Sequence, residues 1–110
     1  MEETVKEIAK TEIKKQNHSR DNEIYVGDKS IMTYVNAVIT QFEIKNFKEV
    51  ILSGRGVFIK KCVDIEELIT QRMQKDKIKV KTISLSSSEF LNEEKRNIRV
   101  SAIEITLFKV

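Results

Sequence analysis

Apolar positions along the chain fall into blocks whose period switches between two and about 3.6 residues. Glu23-Ile24-Tyr25-Val26 is a short β-like run closed by Gly27. Ile31, Tyr34, Val35, Val38, Ile39 and Phe42 then follow the spacing i, i+3, i+4, i+7, i+8, which predicts one face of a helix. Ser30 is placed to cap that helix. Glu49–Ser53 reads as a second strand ended by Gly54-Arg55-Gly56. A second helical stripe follows through Phe58, Cys62, Ile65 and Ile69, flanked by Ile59, Val63 and Met73. Ile78 and Val80 alternate with lysines, and Ile83 and Leu85 resume after a parity break at Thr82, which predicts a bulge or a strand covered in part on both faces. Ile98, Val100 and Ala102 alternate in the same way before Ile103, Ile105 and Leu107 shift parity.

The order β-α-β-α-β-β predicts an α/β domain in which helices cross over between strands and the last two strands form a long hairpin. Its tip, Ser86–Asn97, reads as a long polar loop on a protruding arm, entered through a turn at Ser86-Ser87-Ser88. The polar stretch Asn17–Glu23 marks a boundary between a lead segment, residues 1–22, and a domain over residues 23–110. Val5, Ile8, Ala9 and Ile13 stand near helical spacing, so the lead is either a short helix or a mobile tail. Tyr25 and Tyr34 read as core, Cys62 as a small buried hydrophobe, and His18, in the lead, as a surface residue. Phe90, in the arm, either stacks on an unpaired base or packs back on the sheet.

Composition narrows the classes. The 110 residues suit one domain, and 40% hydrophobic content is enough for one core. No apolar run approaches the ~20 residues that span a bilayer, and the charged opening MEETVKEIAKTEIKK lacks the apolar stretch of a signal peptide. A single cysteine and the absence of Cys/His clusters predict an intracellular domain without disulfide, metal or cofactor. The net charge of +3 is unevenly spread: residues 1–22 carry five basic and five acidic groups and cancel, whereas Ser53–Lys61 holds Arg55, Lys60 and Lys61 with no acid. Lys75–Lys81 adds four lysines against Asp76. Basic concentrations of this kind suit phosphate backbones, and also suit the wet face of a strand.

Four segments, IYVGDKSIMTYVNAV (Ile24–Val38), EVILSGRG (Glu49–Gly56), IKKCVDIEELITQRM (Ile59–Met73) and IRVSAIEITL (Ile98–Leu107), together resemble the Alba-domain family in order and spacing. The resemblance covers the chain from Ile24 onward and implies a compact two-layer domain similar to the C-terminal domain of translation initiation factor 3. It implies a protein that binds DNA or RNA, as a homodimer or in a mixed dimer with a paralogue, in chromatin or in a ribonucleoprotein. The alternative place is that of a protein subunit of an RNA-processing complex such as ribonuclease P or MRP. The compartment would be nucleus and cytoplasm in a eukaryote, nucleoid and cytoplasm in an archaeon.

The matched residues carry chemistry suited to that role. Lys29 follows Gly27 in the turn before the first helix, where its ammonium, backbone N–H groups and the helix N-terminus can converge on one phosphate. Arg55 stands between two glycines that let the backbone come close to a ligand. Lys60 and Lys61 extend that surface. Arg72, with Lys95, Arg96 and Arg99 of the hairpin, completes the family-like basic set, an arginine-bearing arm being suited to a minor groove. Phe58 and Met73 are the expected contacts within or between dimers. Asp28, Val57 and Met73 depart from the family pattern, which has a second lysine, an arginine and a phenylalanine at those places. No carboxylate cluster, triad or metal set is present, so the expected protein is not an enzyme. The remaining catalytic route is a Schiff base between an abasic site and the amine of Lys29, Lys60 or Lys95, which borohydride trapping would capture.

Overall fold

In a computed structural model that describes residues 20–110, the predicted element order is found. Expectations for the lead segment and for His18 fall outside the described residues. Strand β1 is Glu23–Tyr25, helix α1 Ile31–Glu43 and strand β2 Glu49–Arg55. A 3-10 turn at Gly56–Phe58 leads into helix α2, Ile59–Glu67, which continues as a π-helical segment over Leu68–Met73. Strands β3, Ile78–Leu91, and β4, Asn97–Lys109, complete a sheet of order β1-β2-β4-β3. The residues divide into two units. Asn22–Ser86 with Ala102–Val110 form the body, and Ser87–Ser101 belong to the second unit as an arm.

Within the body, register explains the core. β1 pairs with β2 in parallel, and β2 with β4 antiparallel, placing Val50 opposite Leu107, Leu52 opposite Ile105 and Gly54 opposite Ile103. This row faces the two helices, whose inward stripes (Tyr34, Val35, Val38 and Phe42 of α1; Cys62 and Ile65 of α2) close over it. Burying each such large side chain fully contributes about 1.5–3 kcal/mol. In the alternate row Arg55 stands opposite Ala102 and Ser53 opposite Glu104, and Ile51 and Ser53 are buried there too, so β2 is covered on both faces. Tyr25 shares that parity and is exposed, its hydroxyl donating to Glu23 at 3.1 Å, contrary to its reading as core. Three residues of strand are too few to tell one face from the other by pattern.

Local chemistry sets the helix ends. The Ser30 hydroxyl accepts from the Thr33 N–H, as an N-cap should. At the other end Asn46 takes a left-handed φ of 58°, and the chain turns so that Phe47 N–H reaches the Gln41 carbonyl. The widened last turn of α2 coincides with Thr70, whose hydroxyl donates to the Glu66 carbonyl and to its carboxylate.

The hairpin differs most from expectation. β3 runs unbroken to Leu91, so Ser86–Ser88 are strand and not turn, and the turn itself is confined to Asn92–Arg96. The Asn92 side chain accepts from the Glu94 and Arg96 N–H groups, and Lys95 adopts a φ of 64°. Ser86–Glu89 carry no apolar side chain to mark a face, which is why this end of β3 reads as loop. Beyond Val80 the strand leaves the core, and Ile83 and Leu85 are 57% and 72% exposed.

Candidate functional site

The carboxyl ends of the parallel strands β1 and β2 lie side by side, Tyr25 being in register with Ser53. The chain therefore leaves both strands at the same end of the body, through the turn Gly27–Ser30 and through Gly54-Arg55-Gly56. Lys29, Arg55 and the first turn of α2 gather there. Lys29 is exposed and Arg55 half-buried, and among the described residues neither takes part in an ion pair.

Lys60 and Lys61, neighbours in sequence, have different surroundings. Lys60 points to water and pairs with Asp64 one helical turn on, at 2.9 Å. Lys61 turns inward: its ammonium donates to the Gly27 carbonyl at 2.9 Å and the Lys29 carbonyl at 2.8 Å. It lies 5.9 Å from the Tyr34 ring centre and 5.7 Å from that of Phe58, within cation–π reach. Phe58 is itself half-buried against the core, so its ring serves this packing inside the body.

The turn's backbone is also held from the other side. The Gly27 N–H donates to the Tyr34 hydroxyl oxygen at 2.7 Å and the Lys29 N–H to the same oxygen at 3.3 Å. Those two donors, expected from the sequence to meet a phosphate, are instead turned into the protein. A buried tyrosine needs a partner for its hydroxyl, and that is the signal that picks out Tyr34 beyond its place in the apolar stripe.

The two glycines beside Arg55 have separate reasons. A Cβ on Gly54 would lie 2.4 Å from the Cys62 sulfur and 3.0 Å from the Phe58 carbonyl oxygen, so this glycine lets α2 pack on β2. Gly56 has a φ of +54° and open space around it. Close packing, and not room for a ligand, accounts for the first. Cys62 is fully buried, and the burial pushes its thiol up from 9.0 to about 11, away from nucleophilic reactivity.

Arg72 stands apart from this cluster, about 18 Å further along α2 at 1.5 Å per residue. It lines a shallow groove of about 310 Å³ with Ile31, Asp64, Glu67, Leu68 and Gln71, so two carboxylates share its surroundings. Met73, beside it, is exposed. In the arm, the Arg99 guanidinium contacts Glu89 at 2.6 Å and Ser87 at 3.5 Å, and Arg96 lies 3.9 Å from Glu94. Lys95 is exposed at the turn, and Phe90 is half-buried. The acidic residues that occupy the arm's arginines are a part of the arrangement that a search for basic residues passes over.

Two helices on one face of a β1-β2-β4-β3 sheet, with cations on neighbouring turns and on a ribbon-like arm, define a small basic α/β module. The family profile described as Alba matches residues 22–87. A DNA/RNA-binding protein Alba from Methanococcus maripaludis is 47% identical over 89 residues, 81% of this chain and 99% of the relative. The DNA/RNA-binding protein Alba 1 of Archaeoglobus fulgidus is 39% identical over 81% of this chain and 97% of its own length. The structure of Alba from Thermoplasma volcanium superposes with a TM-score of 0.70 at 39% identity, covering 79% of this chain and 99% of that one. The chain belongs to the Alba family.

Proposed function

We propose that this chain binds DNA or RNA, chiefly through the phosphate backbone, as a binding protein and not as an enzyme. Two features support the reading: relatives 39–47% identical are named for DNA/RNA binding, and the body presents unpaired cations at the ends of two adjacent strands. The observation that carries it is the second. Lys29 follows β1 and Arg55 ends β2, strands that run side by side, and neither has an ion-pair partner among the described residues, as is also true of Lys75, Lys77 and Lys79. Lys60, Lys81, Arg96, Arg99 and Lys109 each have a carboxylate partner. Unpaired, water-facing cations release counterions when they meet phosphates, giving affinity that falls steeply with salt and depends little on sequence.

The test is binding of the full chain to matched duplex DNA, single-stranded DNA and structured RNA over a salt series. The expected result is a steep linear fall of log K with log salt, with duplex DNA and RNA bound alike. Failure to bind any of the three at low salt overturns the reading, and would place the chain as a subunit that needs a partner.

The proposal includes a dimer, with a second copy or another Alba-family chain. β3 is an edge strand, 14 residues long, on which Ile83 and Leu85 face water. Such an edge is a template for association unless something covers it. Sedimentation equilibrium of the isolated chain is expected to give a dimer mass. A monomer mass at every concentration overturns self-pairing.

A further inference from the structure

Each of the four backbone polar groups of Gly27 and Lys29 is engaged by a side chain from elsewhere in the body. Their N–H groups converge on the Tyr34 hydroxyl, and their carbonyls converge on the Lys61 ammonium. The two clamping groups also support one another, since the ammonium stands near the faces of the Tyr34 and Phe58 rings. Asp28 lies between the two clamped residues with its side chain in water. A turn held in this way has little freedom left in its backbone, and the Lys29 side chain leaves it from a fixed Cα.

We propose that Lys61 is a positioning residue, holding the Gly27–Lys29 turn against Tyr34 so that the Lys29 ammonium is presented to a phosphate, and that Lys61 does not itself contact the phosphate. The proposal rests on the nucleic-acid reading above and deepens it. It also separates two adjacent lysines that a count of charges treats alike. An ammonium that donates to two carbonyls while packed near two rings has two of its three N–H donors committed to internal partners. Swinging the side chain out toward a phosphate would give up those two bonds. The lost freedom of the turn has a gain: ordering that would otherwise accompany binding is already complete in the free protein.

The test uses Lys61→Met, which keeps the apolar stem, and Tyr34→Phe, which removes one oxygen and keeps the ring in the core. In the free full chain, amide exchange at Gly27 and Lys29 is expected to quicken about five- to tenfold in Tyr34→Phe, as expected for the loss of one hydrogen-bond acceptor. In Lys61→Met it should quicken by a similar factor, with amides of the β2 core unchanged. Binding is read in a double-mutant cycle. Lys61→Met should weaken binding to duplex DNA in the wild-type background and cost nothing further in a Lys29→Ala background, the salt slope there staying the same. A further drop in slope of about 0.9 in that background would mark Lys61 as a direct phosphate contact and overturn the proposal. Unchanged exchange at both amides in both variants would overturn it too. If the unmutated chain binds no nucleic acid, the binding reading fails by itself, and the exchange rates still decide whether the clamp exists.

Discussion

Gly54→Ala is expected to destabilise the protein by about 3 kcal/mol, at the upper end of the cost of overpacking a filled core. The added methyl would sit 2.4 Å from the Cys62 sulfur and 3.0 Å from the Phe58 carbonyl oxygen, and neither neighbour can yield cheaply. The sulfur is short-stemmed and fully buried in the stripe of α2 that covers β2, and the carbonyl is backbone in the turn entering that helix. Relief requires α2 to shift away from the sheet, opening space beside Leu52 and Ile65. Urea unfolding should show the midpoint falling with little change in m. The sulfur clash predicts partial rescue, because Gly54→Ala should cost less in a Cys62→Ala background than in the native one. Gly56→Ala is the control: with open space around it, it should cost about 1–2 kcal/mol from its left-handed backbone alone, with or without Cys62. A Gly54→Ala cost below about 0.5 kcal/mol, the usual range for a tolerant surface position, would show that α2 is not tightly seated.

Most of the body is legible in the sequence because the helices and β4 each have a wetter face and a dry one, while β2, buried on both faces, shows as the short apolar run Val50-Ile51-Leu52. Ile103, Ile105 and Leu107 mark β4 by parity, and Tyr34, Val35, Val38 and Phe42 mark α1 by helical spacing. The β3 half of the arm is illegible for a related reason, since Ser86–Glu89 offer no apolar position to mark a face. The site is mixed. Lys29 and Arg55 stand out locally by the turns that carry them, but what the neighbouring groups do is decided by contacts 32 and 34 residues distant in sequence. One clue was available. In α2, Lys61 stands three residues after Phe58 and four before Ile65, on the border of the buried stripe. Lys60 stands four before Asp64 on the wet side. Helical phase thus separates a lysine that can fold inward from one that cannot, although it does not say which backbone the first will find. The Gly-Arg-Gly motif misled because glycine has two uses, close packing and positive φ, and the chain employs one at each position.

Removing Lys29 and Arg55 together should flatten the dependence of log K on log salt by about 1.8 units, if each neutralises one phosphate at a slope near 0.9 per contact. The same relation makes each contact worth roughly eightfold in affinity near 0.1 M salt, so Lys29→Ala with Arg55→Ala should weaken duplex binding roughly sixtyfold there. Stability should hardly change, because neither side chain has an ion-pair partner among the described residues and Lys29 is exposed. That independence lets a binding loss be read as a lost contact. Lys60→Ala should lose less than either single variant, since its ammonium already has Asp64 at 2.9 Å and must give up that partner to reach a phosphate. Arg99 and Arg96 stand in the same position with respect to Glu89 and Glu94. The balance between an exposed carboxylate and a phosphate is close to even, exposed pairs being worth about 0–1 kcal/mol. Paired cations therefore gain little by exchanging one anion for another, and the unpaired ones at the ends of β1 and β2 should each carry more of the salt dependence than Lys60, Arg96 or Arg99. A slope unchanged in the double variant would remove that end of the body from the contact surface and shift the binding to the arm.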